Sequence, residues 1–223
     1  MENIFIGVQI IMKSEYPEVL YFSTNGKELL NKIIGKKITR MFHYYLGNEN
    51  EFQQYLRDLP DDISCDQVFS LIEGPLLIEF NSGEEISFFA DEHMQSIAFS
   101  YEKNEKGEYV NSCQFYTPQD LDNNPYIDVN DQKYSNDSMR EFINKKIIDI
   151  ELYRQTNVYP HSTYRISDAI IQFTFEDEGQ MTLGYNIHSS TVMAVLPWKS
   201  VHLNIRDEIN EVVRLSNDVT VQL

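Results

Sequence analysis

The chain has 223 residues, 42% of them hydrophobic and 13% aromatic, including 14 Tyr and 13 Phe, a composition too apolar for a disordered segment. At 26.2 kDa a folded chain buries roughly 70% of its unfolded surface, enough for a core without metal or disulfide staples, and nine Gly with seven Pro exclude fibrous and low-complexity classes. Eighteen basic against 35 acidic side chains leave a net charge of −17, which argues against non-specific binding to nucleic acid or to an anionic membrane surface.

The chain opens on Ile4-Phe5-Ile6-Gly7-Val8-Gln9-Ile10-Ile11-Met12, a predicted strand. It lacks the basic start and small-residue cleavage site of a signal peptide, and no run approaches the ~20 apolar residues of a spanning helix. With only Cys65 and Cys113, far apart in sequence, the chain carries no disulfide framework. Both are read as free thiols and the compartment as cytoplasmic.

Ile33-Ile34-Gly35-Lys36-Lys37-Ile38-Thr39-Arg40-Met41-Phe42 follows a short helix and enters a strand. Gly35 suits the left-handed conformation that ends a helix. Next comes an insertion in which Phe52, Tyr55, Leu56 and Leu59 recur at helical spacing, stopped by Pro60. Pro75 to Phe88 reads as a hairpin turning at Ser82-Gly83, and Ser96 to Tyr101 as a further strand. Glu102 to Asp137 is rich in Asn, Asp, Pro and Tyr, with one strand expected over Tyr109 to Tyr116.

Asn136 or Ser138 then caps a short helix, and Phe142-Ile143-Asn144-Lys145-Lys146-Ile147 repeats the Gly35 motif, with Asn144 in the glycine's place. Ile170 to Leu183 repeats the hairpin around Glu178-Gly179, and Thr191 to Leu196 repeats the closing strand. The end is ambiguous: Asp207 to Leu215 has loosely helical spacing, and Val219 to Leu223 alternates like a strand. The fold class is therefore α+β: two similar β-rich units with antiparallel sheets, each a short helix followed by strands and a hairpin. The first unit spans 1–110 with a helical insertion at 47–73, a connecting region spans 111–135, and the second unit spans 136–223. Gln155 to Ser167, the insertion's counterpart, is shorter and lacks its pattern.

Catalytic motifs are thin. His43, His93, His161, His188 and His202 are scattered, without metal-ligand spacing, phosphate loop or nucleophile elbow. Asp91-Glu92-His93 is the densest potential ligand cluster, but adjacent residues of a strand cannot all point one way. No cofactor and no metal site is expected. The paired acids Asp61-Asp62, Glu84-Glu85 and Glu176-Asp177-Glu178 read as solvated turns, not as an acid/base pair across a cleft.

The acids dominate Glu49 to Asp66, the hairpin tips and Asp120 to Asp137, and an acidic surface with interleaved aromatics suits a basic protein partner: charge steers the encounter and aromatics anchor it. Glu49, Glu51, Tyr55, Asp58, Asp61, Asp62 and Asp66 are the candidate partner-binding residues, with Tyr55 also in phase with the core. Gly35 to Ile38, Leu76 to Gly83 and Ser96 to Tyr101, with Asn144 to Ile147 and Ile171 to Gly179 in the second copy, resemble the immunity proteins found beside bacterial polymorphic toxins. The resemblance implies a stoichiometric, non-catalytic inhibitor of a toxin; many such proteins are shorter and hold one copy. With the acidic charge, the expected effector is basic, as a toxin nuclease is. The rival reading is a hydrolase whose site is assembled from distant His and carboxylate residues, such as His93 or His188.

Overall fold

A computed structural model describes residues 26–72, 74–91, 96–109, 124–158, 164–188, 191–197, 211–215 and 219–222. The expected strand at the N-terminus, His93, His161, His202 and Cys113 lie outside the described residues, as does the side chain of His188.

The first unit runs α1 (Lys27–Asn31), β1 (Ile38–Tyr44), α2 (Glu49–Arg57), a 3-10 turn (Cys65–Gln67), α3 (Val68–Leu71), β2 (Leu76–Phe80), β3 (Glu85–Asp91), β4 (Ser96–Lys103) and β5 (Tyr126–Asp128). The second runs α4 (Asp137–Arg140), β6 (Ile147–Val158), β7 (Tyr164–Phe175), β8 (Gln180–His188), β9 (Thr191–Pro197), β10 (Glu211–Arg214) and β11 (Val219–Gln222). The sheets are ordered β4-β3-β2-β1-β5 and β9-β8-β7-β6-β10-β11, with every described pairing antiparallel. The first five positions correspond one to one, so the expected α+β fold of two similar units is what the chain adopts.

The correspondence extends to irregularities. In β1 the register shifts between Ile38 and Arg40, which face Phe80 and Glu79; in β6 it shifts between Ile147 and Asp149, which face Phe175 and Thr174. Thr39 and Ile148 are the paired bulge residues. Gly35 (φ 90°) and Asn144 (φ 65°) both take the left-handed conformation expected of them. At the hairpin tips the left-handed residues are Gly83 (φ 100°) and Glu178 (φ 66°), so Glu178, and not Gly179, stands where Gly83 does. The amides confirm this alignment: Gly83 donates to Phe80 (3.0 Å) and Glu178 to Phe175 (2.9 Å).

The two units join at these same motifs. Gly35 N–H donates to the Ile147 carbonyl (2.8 Å) and Asn144 N–H to that of Ile38 (2.7 Å). Ile147 N–H donates to Lys36 (2.9 Å) and Ile38 N–H to Lys145 (3.4 Å), flanking an antiparallel bridge between Lys37 and Lys146. Every bond has its mirror partner, so a local two-fold axis passes between Lys37 and Lys146.

The inner faces of the sheets meet in one core. Cross-strand rows pair residue for residue: Ile127, His43, Leu76, Phe88 and Phe99 in the first sheet, Val213, Leu152, Ile171, Leu183 and Val195 in the second. Phe88 meets Phe173 edge-on across the sheets at 5.9 Å. The insertion breaks the symmetry. Phe52 and Phe69 enter the main core, whereas Ile63 and Leu71 pack on Ala169, Ile170, Ala194 and Leu196 of the second sheet. In the second unit the insertion's place is taken by lengthened β6 and β7.

Two expectations need correction, and one strand is not foreseen from the sequence. Tyr126–Asp128 joins the first sheet from the connecting region; of the strand expected over Tyr109 to Tyr116 only Tyr109 is described, in an isolated bridge to Lys103, and the rest lies outside the described residues. Three residues are too few to display alternation. Glu211–Arg214 is a strand, not part of a helix, because β-branched Val212 and Val213 pair with Tyr153 and Leu152. The hairpins do bury Ile78 inward, but their outer face is covered as well: Leu77, Glu85, Ser87, Ser100 and Glu102 are buried there.

Phe80 and Phe173 are both buried, as their alternation requires. Truncating Phe173, which touches Phe88 across the sheets, removes the ring and leaves a cavity between them. Phe173→Ala is expected to lower unfolding free energy by about 3–5 kcal/mol in chemical denaturation; a loss under ~1 kcal/mol would contradict this packing.

Candidate functional site

The insertion begins at Asn48, whose side chain accepts from the amides of Asn50 (2.9 Å) and Glu51 (3.1 Å), while Glu51 reaches back to the Asn48 amide (2.9 Å). This capping box places Glu49 and Glu51 at the positive end of the helix dipole. The apolar stripe lies where its phase predicts. Phe52 is buried, and Tyr55, Leu56 and Leu59 are half-buried against the core. Tyr55 packs at a tilt against Tyr45, ring centres 5.6 Å apart, so the ring serves packing.

The six carboxylates behave differently. Glu49, Glu51, Asp58, Asp61, Asp62 and Asp66 are all exposed. Their described partners are neutral and local: Gln53 donates to Glu49 (2.8 Å), Gln54 to Asp58 and the Ser64 hydroxyl to Asp66. The one arginine of α2, Arg57, donates to Gln54 (2.7 Å). Asp58 caps the C-terminal end of α2, where the helix dipole disfavours negative charge. The loop carrying Asp61, Asp62 and Asp66 is held by Ile63, whose side chain is buried on the second sheet and whose amide donates to Pro60 (2.9 Å). These acids therefore stand on a loop anchored at its middle.

The lysines of the repeated motif point elsewhere. Lys36 pairs with Glu84 and with Glu105 (3.2 Å), and Lys145 pairs with Asp177 (2.6 Å), whose carboxyl is held below its usual range by that bond. Arg40 lies between Glu79 (3.7 Å) and Asp128 (3.8 Å). Each cation neutralises acids of the sheets and leaves those of the insertion uncompensated.

Glu84 and Glu85 contradict the reading of the acidic turns as solvated. Both are buried, because Lys36 folds over Glu84 and Lys103 meets Glu85 at 2.7 Å. Asp61, Asp62, Glu176, Asp177 and Glu178 are exposed as expected. Sequence reasoning also passed over Glu102, although Ser87, Ser100 and Glu102 share the outer face by strand phase. Burial pushes the Glu102 carboxyl up to about 7; the bond from the Ser87 hydroxyl (2.6 Å) opposes this and the charge of Glu85 adds to it.

Among the described residues no three His, Cys, Asp or Glu side chains are placed to hold a metal ion. Asp91 is half-buried at the end of β3, and the Cys65 thiol is free and exposed. His43 is wholly buried, with Nδ1 2.6 Å from the Phe69 carbonyl and Nε2 3.2 Å from that of Gly74. Burial lowers its pKa to about 4, against the pull of both carbonyls. It occupies the row position of Leu152 and ties β1 to α3, which makes it a structural residue.

Glu102 and His43 give opposite pH responses. Folding raises the Glu102 pKa from 4.5 to about 7, so its contribution is favourable below 4.5 and is lost as pH rises through 7. Folding lowers the His43 pKa from 6.5 to about 4, so stability is lost as pH falls through that window. Glu102→Gln is expected to raise stability at pH 8 by about 3 kcal/mol and to leave a steeper loss between pH 6.5 and 4. Denaturant midpoints across pH 4 to 8 check both; a variant curve parallel to that of the wild type would refute the assignment.

Comparison with protein families, with curated proteins and with solved structures gives no match to the chain. Among the described residues no helix is long and apolar enough to cross a membrane.

Proposed function

We propose that the protein is a non-catalytic binder that neutralises a basic effector, acting in the cytoplasm as an immunity protein that blocks a toxin nuclease. The observation that carries this reading is the insertion. Its six carboxylates are exposed, their described contacts include no cation, and their loop is fixed by Ile63 and Leu71 to the second sheet. A nuclease active site is a basic cleft built to receive phosphates, and a pre-organised row of carboxylates competes for that cleft at little conformational cost. The sequence resemblance to immunity proteins points the same way. Because the insertion is rooted in the first unit and rests on the second, both copies support one binding face.

The reading sets a kinetic expectation. Rim charges act mainly on the association rate and are screened over ~8 Å at physiological salt. Reversing Asp61, Asp62 and Asp66 to Lys is expected to slow association several-fold at low salt and to leave the folded state intact, because exposed loop charges contribute little stability. Stopped-flow association at two ionic strengths, with the partner recovered by pull-down from the native cell, makes the measurement. An on-rate indifferent to both salt and the triple reversal removes the acidic insertion from the interface. Turnover of a substrate by the isolated protein removes the inhibitor reading altogether.

A further inference from the structure

The two units differ at one paired position in a way that leaves a cleft. In β4, Tyr101 lies opposite Ile86, is buried, and donates its hydroxyl to the Leu29 carbonyl of α1 at 2.6 Å. The phenol thus closes the space between the short helix and the hairpin. In the second unit the residue opposite Met181, the equivalent of Ile86, is Pro197. Ser138 stands as far ahead of Asn144 as Leu29 does ahead of Gly35. Among the described residues no phenol reaches across, and a cleft of about 260 Å³ opens between α4 and the tip of the second hairpin, lined by Ser138, Phe142, Pro197, Glu141, Lys145 and Glu178, among others. Pro197 is tolerated because β9 is an edge strand.

The lining specifies the occupant. Phe142 is largely buried, stacked on Phe175 at 5.1 Å and with the Lys145 ammonium 5.8 Å from its ring centre, and with Pro197 it forms the apolar part of the lining. At the mouth, Glu141 and Glu178 are exposed carboxylates, whereas the Lys145 ammonium is committed to Asp177 at 2.6 Å. The first unit meets the corresponding space with a tyrosine, and the second offers it with an acidic rim.

We propose that this cleft receives a tyrosine side chain of a basic protein partner. The ring lies against Phe142 and Pro197, its hydroxyl donates to the Ser138 carbonyl as Tyr101 donates to Leu29, and cationic residues beside it meet Glu141 and Glu178. The proposal rests on the reading of the partner as basic and adds a second, aromatic anchor to it.

The test uses capped peptides as probes and needs no partner. In amide NMR titrations of the full chain, Lys-Tyr-Lys is expected to shift the Ser138, Phe142 and Gly179 signals, Lys-Phe-Lys to bind several-fold more weakly, and Glu-Tyr-Glu at least tenfold more weakly. Lys-Ala-Lys is expected to leave these signals in place. Pro197→Tyr rebuilds the plug of the first unit and is expected to abolish the Lys-Tyr-Lys response with the fold intact by thermal melt. If that variant does not fold, the exposed pair Glu141→Lys and Glu178→Lys replaces it and is expected to remove the preference for Lys-Tyr-Lys over Glu-Tyr-Glu. Equal response to Lys-Ala-Lys, or no response at millimolar Lys-Tyr-Lys, overturns the socket. Against a partner captured by pull-down, unchanged affinity of Pro197→Tyr also overturns it while leaving the acidic insertion standing; lost salt dependence with a working socket is the opposite failure.

Discussion

The fold depends on a short antiparallel seam of backbone hydrogen bonds. Gly35 to Ile38 and Asn144 to Ile147 donate to and accept from one another, with each bond answered by its symmetric partner. The seam is possible because each segment has just left a helix through a left-handed residue, which turns the chain so that its next amides face the other copy. A β-branched residue at Asn144 or Gly35 opposes that turn. The same turn launches β1 and β6 in register for their hairpins, so one local conformation sets both the entry to each sheet and the way the sheets face each other. The core follows: Phe88 reaches Phe173 because the seam brings the two inner faces together.

Against this symmetric frame, the candidate binding features are the asymmetric ones. The insertion is built on the first unit and rests on the second, where Ile63 and Leu71 cover Ala169, Ile170, Ala194 and Leu196. Its charges stay in solvent while its apolar side chains carry the docking, a separation of roles along one helix and loop. The buried charges of the sheets are a different population. Glu84 and Glu85 are met by Lys36 and Lys103 and Glu102 by the Ser87 hydroxyl, and of the three it is Glu102 that shapes stability against pH.

Much of this was legible in the residues, and the division between what was and was not has a physical basis. Gly35 and Asn144, the two hairpins, the α2 stripe and the inward Phe80 and Phe173 are local patterns, and local patterns carry their own signal. What escaped was non-local or too short. Tyr126–Asp128 offers three residues of alternation, and the β10 strand is recognised only through its pairing with Tyr153 and Leu152. Burial of Glu84 and Glu85 depends on lysines distant in sequence, and Glu178 hid its left-handed conformation beside a glycine that does not adopt one. Of the candidate site, the exposed acids were readable from composition and phase; that Ile63 fixes their loop to the opposite sheet was not.

The seam has a consequence for how such a protein changes over generations. In a homodimer with a two-fold axis every substitution appears twice, at related positions, and an interface residue must suit both roles at once. Here two equivalent halves are covalently one chain, so a mutation strikes one side of the axis alone. Tyr101 and Pro197, His43 and Leu152, and the insertion with its plain counterpart are such unilateral differences at matched positions. One half can preserve the scaffold while the other explores new surface.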